Sequence, residues 1–452
     1  MNKIGLWREM IAGIRILARE QRRGISIIHF GRRCISSRAV MSFGDGSHGA
    51  IGLPTSLTGI GGSAYEPTTV PGLPSHVTTV AAGHYHSLAL DSQGCLWAWG
   101  RDHEAQLGRG FASPRDSWNV PKRVIGLDQV NICSAFASGV VSAALGDDGS
   151  LWIWGKSKRG QLGLGEDVTE AVIPSRVQAL EGEKIVKVSF GWGHALAFSE
   201  DGKLFGWGYY ADGRLGNVGR TMKMSPLDSS SYRSTTGQEQ PNIELAERLV
   251  LESMEEEKNM PIIWEPHLVE DETAVEVVDI ACGLDHSLVL CRDGTLLSCG
   301  SNIYGQLGRV TQDLGLLPVD SSFHVKSIAA GLGHSLALCQ DTSNKDIRDA
   351  TSVISWGWNQ TSQLGRVGPN NIPLAIEGLA GETPISLSGG RAHSIALGSK
   401  GEVWVWGCGR DGRLGLGSSS DESEPVFLDS LENCNVVQAV SGFDHNLVLV
   451  VD

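Results

Sequence analysis

Apolar and polar positions along this chain recur in one phrase, clearest in Ala81–Gly110, AAGHYHSLALDSQGCLWAWGRDHEAQLGRG. A short apolar run enters a tight Gly-His turn and a second apolar run follows. A Ser-Gln-Gly turn reverses the chain, and a Trp-rich run ends at Gly100. A loop and the turn Gln106-Leu107-Gly108 complete the phrase. Short apolar or alternating runs bounded by Gly and Ser predict strands rather than helices.

The first half of the phrase returns as Ser134–Leu145, Ser189–Phe198, Ala281–Leu290, Ala330–Leu338, Ser388–Leu397 and Ser441–Val450. The Trp-Gly half follows six of the seven copies, at Leu96–Gly100, Leu151–Gly155, Leu204–Gly208, Leu296–Gly300, Ile354–Gly357 and Val403–Gly407. Each is followed by a Leu-Gly turn, and then by a Pro-led short strand such as Pro121–Val124 or Pro174–Val177. Each unit is thus four short strands. The last copy stops at Asp452 with two of them. The missing pair lies at the other end of the chain, where Met41–Gly44 resembles the Trp-Gly strand, Ala50-Ile51-Gly52 the Leu-Gly turn and Pro67–Val70 the fourth strand. A ring closed by pairing these strands with the C-terminal half-unit hides the sheet edges. The expected fold is all-β, a seven-bladed propeller of four-stranded blades over residues 41–452.

The phrases Gly-x-x-His-Ser-Leu-Ala-Leu, Asp-Gly-x-Leu-Trp-x-Trp-Gly and Gly-Gln-Leu-Gly resemble the repeats of the regulator of chromosome condensation family, over nearly all of 41–452. The resemblance implies a propeller. It implies no single activity, because function belongs to sites carried by a fold.

Residues 1–40 differ. On a helix of 3.6 residues per turn, Leu6, Trp7, Met10, Ile11, Ile14, Leu17 and Ala18 share one face, opposite Arg8, Arg15, Arg19, Arg22 and Arg23. This segment holds nine Lys/Arg and two Glu, +7, so the whole-chain charge of −14 leaves −21 on the remainder. An Arg-rich, acid-poor amphipathic N-terminus predicts a mitochondrial (matrix) targeting presequence, cut shortly after Arg33, with plastid or dual targeting as a variant. Glu9 and Glu20 are atypical of such a peptide, and the competing assignment is a permanent surface helix.

The acidic body disfavours direct nucleic-acid binding, which needs a Lys/Arg surface. Nine cysteines without a Cys-x-x-Cys pair predict a reducing compartment. No apolar run reaches the roughly 20 residues of a membrane span. His86, His194, His286, His334, His393 and His445 fall one per unit, with Val141 in the remaining one, so they are read as structural and not as metal ligands. The repeated Trp residues are read as packing between blades. No phosphate loop and no catalytic constellation stands out, and neither cofactor nor metal is expected.

Specific function is expected where the copies diverge. The first-to-second turns and third-to-fourth loops share one face, which carries Tyr85, Arg101, Lys156, Lys158, Arg159, Trp192, Tyr209, Tyr210, Tyr304, Arg391, Arg410 and Phe443. Aromatic and Arg residues on loops of a rigid scaffold suit a protein-binding face. An insertion at 217–265 belongs to that face; it combines a Ser/Thr/Gly-rich stretch with Glu239, Glu244, Glu247, Glu252, Glu255, Glu256 and Glu257. It is read as a solvated loop, or alternatively as an acidic arm for a basic partner. A second insertion, Thr342–Ala350, points to the opposite face.

The resemblance offers four roles. One is that of mitochondrial members, noncatalytic scaffolds that support organellar RNA processing, ribosome assembly or respiratory-complex production, with an organellar ribonucleoprotein as partner. Another is nucleotide exchange on a small GTPase, and a third is a nuclear chromatin adaptor; these imply a nuclear or cytoplasmic location. The fourth is ultraviolet-B photoreception by a tryptophan cluster. Against the last, only Gly191-Trp192-Gly193-His194 approaches the required motif, the corresponding positions being assigned to Tyr85, Leu284, Leu332, Arg391 and Phe443. The expected role is the mitochondrial interaction scaffold, with GTPase exchange as the alternative.

Overall fold

The computed structural model describes residues 37–58, 61–111, 113–217, 261–270, 276–311, 314–320, 323–340 and 351–451. Its described strands form seven four-stranded antiparallel sheets. Blade 1 comprises Val77–Ala82, His86–Asp91, Leu96–Gly100 and Lys122–Arg123. Blades 2 to 6 repeat this order over Ile132–Arg176, Ile185–Leu268, Val277–Pro318, Val325–Ala375 and Pro384–Phe427. Blade 7 joins Asn435–Ser441 and His445–Val451 to Arg38–Gly44 and Ala64–Thr69. The ring is closed as the half-units require: Arg38 to Gly44 pair without interruption against Val451 to His445.

Two boundaries move. The closing strand begins at Arg38, so residues 38–40, assigned above to the presequence, pair within blade 7. The fourth strand of blade 3 is Ile262–Leu268, so Ile262 to Glu265, assigned to the insertion, are strand. Residues 1–36 of the presequence, residues 218–260 and the second insertion lie outside the described residues.

The second strand of every blade is buried along almost its whole length, because neighbouring blades cover both faces. That is why these strands read as continuous apolar runs rather than alternating ones. The first strands line a central channel, where Lys187 bridges to Asp279 across blades 3 and 4 at 2.5 Å. Gln438 similarly bonds both backbone groups of Val80 in blade 1.

A repeated latch joins blade to blade. At four of the seven seams the backbone carbonyl before the turn accepts a Trp indole N–H and a Ser hydroxyl from the next blade. Gln106 O receives Trp154 Nε1 at 2.9 Å and Ser142 Oγ at 2.8 Å. Gln306 O receives Trp356 and Ser335, Gln363 O receives Trp406 and Ser394, and Ala50 O receives Trp99 and Ser87. At the other seams Gln161 O takes Trp207 Nε1, Arg214 O takes Ser287 Oγ and Cys299 Sγ, and Arg413 O takes Asn446 Nδ2. The glycine of the turn lets the indole approach: a Cβ on Gly108 would sit 2.8 Å from Trp154 Nε1.

The repeated histidines complete the latch. His86 Nε2 lies 2.7 Å from Ser142 Oγ, and the pattern continues at His194–Ser287, His286–Ser335, His334–Ser394, His393–Asn446 and His445–Ser87. Because each serine hydroxyl already donates to a carbonyl, the imidazole donates to it through Nε2–H. Among the described residues, the Nδ1 atoms of His86, His194, His286, His334 and His393 are buried without a partner. Burial therefore pushes these rings to about 3 for His86, His286, His334 and His393, to about 4 for His445, and well below the ordinary value for His194.

The seam between blades 2 and 3 departs from this. Val141 replaces the histidine, and Ala195 stands where the partner serine would be, both fully buried in one apolar cluster. The two changes are complementary, since a lone histidine or serine there would lose its buried partner. We expect Val141→His alone to cost about 1–3 kcal/mol as an unsatisfied buried group. Adding Ala195→Ser should recover roughly 1 kcal/mol, read as coupling in a urea double-mutant cycle. Strict additivity would show that the latch is not transferable to this seam.

Candidate functional site: the mouth of the channel

The turns between first and second strands gather around one end of the channel. They are tied to each other by backbone bonds: His84 N to Ser138 O, Trp192 N to Leu284 O, Leu284 N to Leu332 O, Leu332 N to Gly390 O, Arg391 N to Phe443 O and Phe443 N to Gly83 O. The third-to-fourth loops begin at the same end, because Arg101 N bonds Tyr85 O, Lys156 N bonds Val140 O and Tyr209 N bonds Gly193 O. The channel behind this mouth encloses about 460 Å³.

This register corrects one correspondence. Two positions before the latch histidine, the counterpart of Trp192 in blade 1 is His84, not Tyr85; Tyr85 corresponds to Gly193, Asp285 and Asp444. At the mouth, Trp192 therefore stands among His84, Gly139, Leu284, Leu332, Arg391 and Phe443.

Side chains from separate blades build an aromatic cluster there. The His84 ring lies 4.7 Å from Phe443 and 6.0 Å from Trp192, nearly parallel to the latter at 10°. Tyr85 lies 5.6 Å from Phe443 and 4.7 Å from His48. Gly139 makes room for it, since a Cβ there would meet His84 Nδ1 at 2.8 Å. Burial pushes His84 down to about 4, so its ring is neutral and packs as an aromatic. Burial likewise lowers His48, against the opposing carboxylate of Asp45.

Arginines cover the rings. Arg101 lies over Tyr85 at 5.1 Å, Arg159 over Trp192 at 5.4 Å and Arg391 over Phe443 at 4.9 Å. Most are also neutralised within the chain. Arg101 pairs with Glu104 at 2.5 Å, and Arg391 and Arg413 reach Asp444 at 3.0 and 2.9 Å. Even between two arginines, burial holds the Asp444 carboxyl above its ordinary value. Trp192 is 40 % exposed, the largest accessible apolar surface of the cluster.

Six of the twelve residues expected on this face thus converge: Tyr85, Arg101, Arg159, Trp192, Arg391 and Phe443. The others stand elsewhere. Tyr209 lies under Arg214 at 4.8 Å, which pairs with Asp285 at 2.6 Å. Tyr210 packs against the core of blades 2 to 4. Lys156 is exposed and 3.6 Å from Glu170, and Lys158 is exposed nearby. Arg410 is exposed, 3.4 Å from Asp411. Tyr304 pairs with Trp358 at 6.0 Å in a separate hollow of about 550 Å³. Sequence reasoning missed His48, which sits in the divergent N-terminal half-blade, and Trp358, whose only signal is a third Trp position in Trp356-Gly357-Trp358. Among the described residues no group of His, Cys, Asp and Glu is arranged to hold a metal ion, and no helix is long and apolar enough to cross a membrane.

Known proteins share this architecture. The chain is 28% identical over 403 residues to the ultraviolet-B receptor UVR8 of Arabidopsis thaliana, covering 88% of this chain and 79% of that protein. It is 29% identical over 403 residues to the RCC1 domain-containing protein RUG3, mitochondrial, of Arabidopsis thaliana, covering 78% and 88%. The structure of Prp20p from Saccharomyces cerevisiae, described with its binding to Gsp1p and histones, superposes with a TM-score of 0.71 at 22% identity over 95% of this chain and 96% of that one, a likeness of fold. Residues 39–448 match the RCC1-like domain. With seven four-stranded blades closed by the chain's own N-terminal strands, the chain belongs to the RCC1-like domain family.

Proposed function

We propose that this chain is a noncatalytic scaffold that binds protein partners through the channel mouth. Its place is in mitochondria, where it supports organellar RNA processing, ribosome assembly or respiratory-complex biogenesis. The observation that carries the binding role is the convergence of His84, Tyr85, Trp192 and Phe443 under arginines on a rigid ring. Aromatic rings and arginine dominate binding hot spots because they bring large, stiff contact area with a polar tip. The mitochondrial part is supported by the Arg-rich amphipathic N-terminus and by similarity to a relative named mitochondrial. The acidic body favours proteins over bare nucleic acid as direct partners.

The test is affinity capture from mitochondrial lysate with wild type and with a Trp192→Ala, Phe443→Ala double variant. The expected result is recovery of ribosomal or RNA-processing components by wild type, reduced at least tenfold by the double variant. Capture of a nucleotide-free small GTPase instead would replace this reading with nucleotide exchange. A reporter fused to residues 1–40 tests the location: a nuclear or diffuse signal removes the mitochondrial assignment.

A further inference from the structure

The seam between blades 2 and 3 lacks the histidine latch, and among the described residues it also lacks the backbone bond that ties the mouth turns at the other seams. Gln161 Nε2 bonds Gly191 O there instead, at 2.8 Å. Arg159, from the loop of blade 2, crosses this seam to lie over Trp192 of blade 3. Gly193 admits its stem, because a Cβ at that position would meet Arg159 Cδ at 2.7 Å. Arg101, Arg214, Arg391 and Arg413 around the same mouth each reach a carboxylate of this chain. Arg159 has no such ion pair among the described residues, and its guanidinium is held by the indole alone.

We propose that Arg159 and Trp192 form a carboxylate-anchoring subsite, which takes an Asp or Glu side chain of a partner peptide with an adjacent apolar side chain seated on the indole. This rests on the channel mouth being the binding face and names the chemistry of its partner. A guanidinium stacked on a ring keeps its N–H edges free for a carboxylate, the bidentate geometry that arginine provides and lysine does not. A partner carboxylate supplies Arg159 with the charge complement that Glu104 and Asp444 of this chain supply to Arg101 and Arg391. The apolar neighbour is required because Trp192 presents accessible ring beside the cation.

The experiment uses the full chain and fluorescein-labelled, end-capped octapeptides carrying Asp-Leu or Glu-Phe at the centre, with their Asn-Leu and Gln-Phe isosteres, read by anisotropy. Acidic peptides are expected to bind about tenfold tighter than the isosteres, a difference erased by Arg159→Glu and reduced by Arg159→Lys. Arg159→Glu should fold normally, since among the described residues the guanidinium makes no buried hydrogen bond, and an unchanged melting temperature checks this. Equal binding of acidic and amide peptides, an acid preference that survives in Arg159→Glu, or no binding of any peptide overturns the proposal. Binding that depends on Phe443 and Arg391 without acid preference removes only the anchor and leaves the mouth as the binding face. Binding indifferent to Trp192, Phe443 and Arg391 removes both.

Discussion

Lowering the pH should unfold this protein well before its carboxylates are fully protonated. Five latch histidines are held at about 3 to 4 in the folded chain, and His194 is held well below the ordinary value. In the unfolded chain they return to roughly 6.5. The unfolded state therefore binds these protons first, so the stability they confer is complete above about pH 6.5 and drains as the pH falls toward the folded values. At about pH 4.5, two pH units below the unfolded value, each such histidine favours unfolding by roughly 2–3 kcal/mol. Together the five are comparable with a typical total stability of about 5–15 kcal/mol. Tryptophan fluorescence followed down the pH scale should show a cooperative, steep loss of structure between about pH 6 and pH 4. His286→Gln keeps an N–H donor toward Ser335 and cannot titrate, so it should lower the transition pH and reduce its steepness. A fold unchanged at pH 4 would mean that the latch rings are solvated or already charged.

The second large effect concerns ring closure. A chain beginning at Ser37 should melt within a few degrees of the full chain, while one beginning at Asp45 should lose its cooperative transition. The difference is the strand Arg38–Gly44, which pairs with the C-terminal strand and carries Val40 and Phe43 into the core at 2% and 0% exposure. Loss of a buried Phe costs about 3–5 kcal/mol before the exposed edge of His445–Val451 is counted. Gly415 packs directly on the Phe43 ring, so blade 6 would lose its lateral cover as well. Calorimetry of the two truncations decides it. A normal melting transition for the shorter chain would show that six blades and a half are self-sufficient.

The blades were legible because their physics repeats. The second strands are enclosed on both faces and must be apolar, the turn glycines must admit an indole, and the phrase returns each time these demands return. Closure was legible for the same reason, since Ala50 in the N-terminal half-blade takes the acceptor role that Gln106 takes in blade 1. The strand ends were less so. Arg38 and Ile262 join their sheets through backbone pairing, which leaves no residue signature. The loop set of the candidate site could be drawn, but which members meet could not. Arg159 reaches Trp192, and His48 reaches Tyr85, through the curvature of a ring and the reach of individual side chains. Repeat position fixes the face a residue occupies. It does not say that Tyr304 turns to Trp358 while Tyr85 turns to Phe443.

The partner should contact the channel mouth and not the opposite end of the ring. Photo-crosslinking states it most directly, with benzoylphenylalanine placed in turn at Lys158, on the rim of the mouth, and at Gln93, in the second-to-third turn of blade 1 at the far end. A discrete protein adduct is expected from position 158 in mitochondrial lysate, lost when Trp192→Ala and Phe443→Ala are added, and none from position 93. An adduct from position 93 with none from position 158 would contradict it.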